Sequence, residues 1–151
     1  MLARLTTVRL TLAAAVTIAL AASLPTPTFA QAAGDLRQSI ADCDRGDRAA
    51  SLAAGLALSG VENRAYDAFL ALRFLQQACA ANQTAACGRL ALIFYAGEGD
   101  VERDLPSAGN FAMRACAGND RDGCEVAEAV FAEPGSPQFD AEKALRYRRV
   151  N

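Results

Sequence analysis

Histidine is absent from this 151-residue sequence, and Lys143 is its only lysine. Histidine is the commonest general base in enzymes and the commonest protein ligand of zinc. A chain without it cannot build a Ser-His-Asp triad or the usual zinc hydrolase site. We therefore expect no catalytic residue, no metal site and no cofactor.

The sequence also has no excess of basic residues. It contains 15 basic and 17 acidic residues, for a formal net charge of −2. Proteins that bind nucleic acids neutralise phosphates with basic clusters, so a nucleic acid is not an expected partner. Cations complement the dipole at the C-terminus of a helix, and four basic residues lie near the end of the last predicted helix: Lys143, Arg146, Arg148 and Arg149.

Long apolar runs are confined to the N-terminus. Residues 1–9 contain two arginines and no acid, residues 10–24 are apolar, and small residues precede candidate cleavage sites after Ala30 and after Ala32. This arrangement predicts a secretory signal peptide over residues 1–32. An uncleaved anchor is the alternative, although an apolar core of about 15 residues is short for a bilayer span. The cleaved chain is expected in the periplasm or outside the cell, without a membrane span.

All five cysteines follow the predicted signal peptide, and four of them repeat one pattern. The pattern is Ala-Cys, seven residues, Cys: Cys79 and Cys87 form the first copy, and Cys116 and Cys124 form the second copy 37 residues later. Self-similarity at a period of about 20 to 50 residues is the signature of a stacked repeat array. In an exported chain, regularly paired cysteines indicate disulfides rather than redox or metal sites.

The exported part, about 120 residues long, is sufficient for one small domain and carries helical patterns. Residues 33–42 predict an N-terminal capping helix, and residues 43–151 predict a repeat domain. Helical hairpins are expected at about residues 47–79, 84–116 and 122–149. The helix that ends at Cys79 is apolar on nearly every side, Phe69 included, which predicts that neighbouring helices cover both of its faces.

The middle hairpin has the clearest boundaries. Gly97 and Gly99 follow its first helix, and glycine favours the left-handed turn that ends a helix. Asp104 precedes Leu105 and Pro106, which predicts an acidic N-cap with proline in the first turn of the second helix.

The run from Ala86 to Ala108 resembles the Sel1-like repeat, a motif related to the tetratricopeptide repeat. In that family a leucine, a tyrosine, Gly-x-Gly-Val, an aspartate and an alanine mark the hairpin. The residues in those places here are Leu90, Tyr95, Gly97, Gly99, Val101, Asp104 and Ala108. One extra residue, Asp100, separates Gly99 from Val101. The cysteine spacing is similar to that of the secreted, cysteine-rich branch of the family.

The resemblance implies an all-α fold, an α/α superhelix (solenoid) of about three hairpins. It also implies two disulfides between neighbouring repeats, one joining Cys79 to Cys87 and the other joining Cys116 to Cys124. Closing so small a loop stabilises the fold by about 2 to 3 kcal/mol per bridge in the chain-entropy model. A short array needs this stabilisation because each repeat contacts only its neighbours. Four buried free thiols are the alternative.

Cys43 departs from the repeat. It lies 36 residues before Cys79, but Ser51 stands where the pattern places the partner cysteine. Either Cys43 is a free, partly buried thiol under the capping helix, or it links two copies of the chain or a second envelope protein through a disulfide. The free thiol is the preferred interpretation.

The resemblance implies a non-catalytic scaffold of the bacterial cell envelope that binds a protein or peptide partner. In this class of superhelix the first helix of each hairpin lines the binding surface, which makes Arg89, Ile93 and Glu125 exposed candidates for partner binding. Ordinary solvated helix surface is the alternative for these three residues. Acidic residues near one loop are expected to form a solvated face rather than a cation site: Glu98, Asp100, Glu102 and Asp104.

A β-lactam-binding protein or β-lactamase-like hydrolase is the alternative, because some cysteine-rich relatives are described as β-lactamases. A serine β-lactamase needs Ser-x-x-Lys, so that a base can take the proton of the hydroxyl. No serine in this sequence has a lysine three residues later. The sequence therefore favours the scaffold over the enzyme.

Overall fold

The computed structural model describes residues 29–60 and 67–149, with the side chains of residues 29–32 excepted. The described residues form seven α-helices and no strand, which confirms the all-α prediction. The helices are α1 (Phe29–Asp44), α2 (Arg48–Leu58), α3 (Ala68–Ala80), α4 (Thr84–Ala96), α5 (Leu105–Ala117), α6 (Arg121–Ala132) and α7 (Ala141–Arg148). The predicted signal peptide lies outside the described residues, apart from the backbone of its last four. In the described part of the chain, no helix combines the length and apolar character of a membrane span.

Helices α2 to α7 form the three predicted hairpins: α2 with α3, α4 with α5, and α6 with α7. The first helices contact one another, α2 with α4 and α4 with α6, and we call them the inner row. The second helices form the outer row, in which α3 packs against α2 and α4, and α5 packs against α4 and α6. The chain is thus a two-layered α/α superhelix, as predicted.

One turn recurs wherever an outer-row helix leads into the next inner-row helix. Three residues after the cysteine of the outer helix, the backbone is left-handed at Gly46, Asn82 and Asn119, with φ of 93°, 64° and 62°. Glycine and asparagine tolerate this conformation best. Because the turn between α1 and α2 is the same, α1 corresponds to the second helix of an incomplete hairpin. It spans 16 residues and is longer than the capping helix expected at residues 33–42.

A backbone hydrogen bond also recurs within each hairpin, between the start of the second helix and the end of the first. The backbone N–H of the aspartate that caps the outer-row helix donates to a carbonyl near the end of the inner-row helix. The pairs are Asp67 with Leu58 at 3.1 Å, Asp104 with Phe94 at 2.8 Å and Asp140 with Phe131 at 2.8 Å. The predicted caps at Gly97 and Asp104 are both present, with Gly97 at φ 68°. These bonds fix the angle at which each hairpin folds back.

The core lies between the two rows and consists largely of alanine with a few large side chains. Phe74, Leu75, Leu90 and Val130 are fully buried. Small residues let the helices approach closely: a Cβ on Gly123 would lie 2.3 Å from the Cβ of Ala115, so α5 and α6 can pack at this distance only with glycine there.

The prediction that both faces of α3 are covered is wrong for Phe69. Its side chain is 70% exposed, because α3 lies in the outer row and packs against α2 and α4. The remaining face of α3 is open to solvent at this position.

Candidate functional site

Both predicted disulfides are present. Cys79 bonds to Cys87, and Cys116 bonds to Cys124, with Cα atoms 4.9 Å and 4.5 Å apart. Each bridge joins the last turn of an outer-row helix to the fourth residue of the next inner-row helix. The bridges therefore span the recurrent turns and fix one hairpin against the next.

Cys43 is a free thiol and is 4% exposed. Its Sγ contacts Ser51 Oγ and lies 3.1 Å from Gln77 Oε1. Ser51 is the fourth residue of α2, the position that Cys87 and Cys124 occupy in their helices. Cys43 and Ser51 thus meet where the other turns carry a disulfide. This burial agrees with the preferred interpretation, and a disulfide-linked dimer through Cys43 would first require α1 to move.

The sequence suggested that Arg89 lies free on the surface, but its guanidinium is hydrogen-bonded to neighbouring residues. Its Nη2 donates to both carboxylate oxygens of Glu98, at 2.5 and 2.7 Å, and its Nε donates to Ser59 Oγ at 3.0 Å. Glu98 Oε1 also accepts the backbone N–H of Gly60 at 2.9 Å. This half-buried network joins α4 and its following loop to the end of α2, so its first role is to hold two hairpins together.

The expectation of an exposed Ile93 is wrong, because this side chain is 3% exposed. Helix α4 packs against α2, α3, α5 and α6, and little of its surface remains open. Glu125 is exposed and forms an ion pair with Arg121 one turn earlier on α6, at 2.8 Å. Of the three candidate residues, only Glu125 is exposed as expected.

The exposed large apolar side chains lie elsewhere. They are Phe69 at 70%, Phe139 at 52%, Leu145 at 50% and Leu56 at 43%. Phe69 lines a groove of about 640 Å³ between the N-terminal ends of α3 and α5, bordered by the loops that precede α5 and α7. We call it the outer groove. The sequence pattern does not reveal this groove, because the apolar character of α3 predicts a fully covered helix.

The floor of the outer groove is apolar. It is formed by Phe69, Leu72, Phe94, Val101, Leu105, Pro106 and Pro137. The ring of Phe94 stacks on Phe111 of α5, with centroids 5.7 Å apart and ring planes 7° apart. Val101 is 9% exposed and anchors the loop before α5. The floor is therefore supported by packed side chains beneath it.

The rim of the outer groove is acidic. Asp100 and Glu102 are exposed, and no ion pair between described residues involves either of them. The Oγ and N–H groups of Ser107 donate to Asp104, at 2.5 and 3.1 Å, and these bonds hold the pKa of Asp104 below its usual value. Three carboxylates therefore border the groove.

Among the described residues, the rim holds one cation, Arg103, and its guanidinium is already engaged. Its Nη1 and Nη2 donate to the two carboxylate oxygens of Glu133, at 2.9 and 2.5 Å, and its Nε donates to the carbonyl of Tyr95 at 2.9 Å. The same hydrogen bonds lower the pKa of Glu133. Arg103 thus ties the loop before α5 to the end of α6, and the described part of the rim keeps a net negative charge. Nowhere in residues 29–60 and 67–149 do three or more acidic or cysteine side chains group as a metal site.

Comparison with known proteins relates this architecture to one solved fold. No family model and no curated protein sequence matches the chain. Among solved structures, the chain is similar to the crystal structure of a Sel1 repeat protein from Oxalobacter formigenes, with a TM-score of 0.62 and 21% sequence identity. The match covers 76% of this chain and 46% of that protein, so the chain spans about half of its length. The chain has the fold of a Sel1 repeat protein, as its resemblance over residues 86–108 predicts.

Proposed function

We propose that this protein is an exported, non-catalytic scaffold of the bacterial cell envelope that binds a protein or peptide partner on its repeat surface. The observation that carries the proposal is a disulfide-linked superhelix that keeps large apolar side chains exposed. Stacked hairpins of this kind build extended surfaces that hold peptides or partner helices. Exposed aromatic side chains such as Phe69 are typical anchors of protein interfaces.

Two features support export. The two disulfides cross exposed turns and persist in oxidising compartments, whereas the cytosol keeps such thiols reduced. The sequence of residues 1–32 has the charge, apolar core and small residues of a secretory signal. Both point to the periplasm or the exterior of the cell.

Affinity capture from the native cell envelope tests the proposal. The mature, oxidised protein serves as bait after mild crosslinking, and the same protein, reduced and alkylated, serves as the matched control. We expect the oxidised bait to recover one envelope protein in near-stoichiometric amount, and the alkylated bait to lose it because the hairpins no longer hold their relative positions.

A β-lactam binding and hydrolysis assay on the same preparation addresses the enzymatic alternative. We expect turnover equal to that of a heat-denatured sample, because the chain lacks histidine and the Ser-x-x-Lys arrangement. Turnover above that control, together with no recovered partner, contradicts the scaffold proposal.

A further inference from the structure

We infer that the outer groove binds an extended segment of a partner protein in which an aromatic or aliphatic side chain is flanked by lysine or arginine. The inference rests on the proposed scaffold function and names the binding surface and the chemistry of the ligand. It moves the partner site from the inner row, where the sequence placed it, to the N-terminal ends of two outer-row helices.

The inner row offers less for binding. The Arg89 guanidinium is held by Glu98 and Ser59, and Ile93 is buried. A partner that engages Arg89 has to break a half-buried charge pair, which weakens any binding energy it gains. Leu56 is the one large apolar side chain of the inner row that is notably exposed in the described residues.

The outer groove offers an apolar anchor site that is already formed. Phe69 is 70% exposed, and the half-buried side chains of Leu72, Phe94 and Leu105 line the groove beside it. A ligand that covers Phe69 and fills the space next to it removes apolar surface from water. Because the groove is already open, the side chains of its floor do not have to rearrange first. A volume of about 640 Å³ lies in the range of clefts that take a few side chains rather than a whole domain. A short segment is therefore the ligand of matching size.

The charge of the rim selects among such segments. Asp100, Glu102 and Asp104 border the apolar floor, while the Arg103 charge is neutralised by Glu133. A cationic segment gains Coulomb energy at this rim and approaches it faster, whereas an acidic segment is repelled. No strand is present in the described residues, so strand addition to a sheet edge cannot supply the affinity there. Recognition therefore depends on side chains: one apolar anchor and basic neighbours.

Selection from a random seven-residue peptide library displayed on phage tests the inference with the mature, oxidised protein as target. We expect the enriched sequences to carry at least two lysines or arginines around an aromatic or aliphatic residue. Synthetic, fluorescently labelled copies are then titrated against variants. Phe69→Ser should weaken binding about tenfold or more, since a central aromatic anchor is lost. Leu145→Ser, a change at a similarly exposed apolar side chain on α7, should leave affinity within about twofold.

A matched pair of charge reversals tests the rim. Glu102→Lys should weaken binding of the selected peptides several-fold, and Asp122→Lys, a charge reversal at an exposed position of α6 outside the groove, should not. Raising the salt from about 0.05 M to about 0.5 M should weaken binding to the wild type more than binding to Glu102→Lys, because screening removes an attraction that the variant lacks. Far-ultraviolet circular dichroism and melting curves verify that each variant is folded.

The inference is overturned if no peptide is enriched, if acidic or uncharged peptides are enriched, or if peptide binding survives Phe69→Ser. Self-association that depends on Phe69 also overturns it, because the occupant is then a second copy of the chain. If binding of the selected peptides depends instead on Leu56 of the inner row, the assignment of the binding site to the outer groove is wrong, while the scaffold function stands. If, in addition, envelope capture recovers no partner, the scaffold function fails too.

Discussion

At the residue scale, hydrogen-bonded side chains decide how each hairpin closes. Asp104 accepts from the backbone N–H and the hydroxyl of Ser107, and its own backbone N–H donates to Phe94. The same residue therefore caps α5, closes the hairpin and contributes to the acidic rim of the outer groove. A single carboxylate links local stability to the surface that we assign to binding.

The stability of the protein should depend on the ionisation of Asp104. Hydrogen bonds from Ser107 lower its pKa from 3.8 in the folded state, so the unfolded chain binds the proton more readily. The resulting stabilisation is present above pH 3.8 and is lost as the pH falls through the lower, folded-state pKa. Asp104→Asn keeps an N-cap but should show a shallower loss of stability below pH 4, measured by urea unfolding between about pH 2 and pH 6.

Asp104→Ala provides the second comparison, since alanine removes the cap itself. It should lower the free energy of unfolding at pH 7 by about 1 kcal/mol. If Asp104→Asn and the wild type lose stability in parallel below pH 4, the ionised carboxylate does not make the proposed contribution.

Ser51 occupies the place of a missing disulfide partner. Ser51→Cys should form a bridge with Cys43, because the two side chains already meet where the other two turns carry bridges. The expected gain is about 2 to 3 kcal/mol in the free energy of unfolding, measured under oxidising conditions and lost on reduction. Ala53→Cys, at an exposed position of α2, is the matched control and should leave two thiols that an alkylating agent labels in the unfolded protein. Two thiols labelled in the same way in oxidised, then unfolded, Ser51→Cys contradict the prediction.

At the element scale, charged side chains connect each hairpin to the next. The Arg89–Glu98 network joins α4 and the loop after it to the end of α2, and the Arg103–Glu133 pair joins the same loop to the end of α6. The first pair is mostly shielded from solvent, with side chains 21% and 15% exposed. Removing one of its partners should therefore destabilise the fold more than breaking an exposed pair on a helix surface.

Removing Glu98 should destabilise the junction of the first two hairpins. Glu98→Ala leaves the Arg89 guanidinium half-buried and without its carboxylate, at a cost of about 1 to 3 kcal/mol in the free energy of unfolding. Glu125→Ala breaks the exposed pair with Arg121 and should change stability by less than about 0.5 kcal/mol. Urea unfolding of the two variants measures the difference. Equal, small effects contradict a structural role for Arg89.

At the scale of the whole molecule, the chain is a row of hairpins held by nearest-neighbour contacts and by two covalent bridges. Each bridge fixes an outer-row helix to the next inner-row helix across a turn with a left-handed asparagine. In such an array each hairpin packs mainly against its neighbours. Its integrity therefore depends on the two junctions.

Loss of one bridge should weaken the array and reduce its cooperativity. The double variant Cys116→Ser, Cys124→Ser should lose about 2 to 3 kcal/mol of stability and unfold its last hairpin before the rest. Hydrogen exchange measured by mass spectrometry should show faster exchange in α6 and α7 than in α2 and α3. Cys43→Ser is the control for loss of a thiol without loss of a bridge, although it removes the contacts of Cys43 with Ser51 and Gln77. Uniformly faster exchange along the chain contradicts independent junctions.

Much of this architecture is a consequence of local sequence. The cysteines of each pair and the caps at Gly97 and Asp104 involve residues close together in the chain, and the pair recurs after 37 residues. Local conformational preferences decide such features, so the hairpins and both bridges follow from the sequence. Predicting disulfides between residues eight apart requires only that a helix end, a turn and the next helix be recognised.

The exposure of individual helix faces was decided only by the tertiary structure. Ile93 and Phe69 are both apolar residues on apolar helices, yet the first is buried and the second is 70% exposed. The difference arises because α4 is surrounded by four helices, whereas α3 lies in the outer row and packs against two. Packing between distant parts of the chain places Phe69 beside Leu105 and Pro137, and local patterns carry no information about such neighbours.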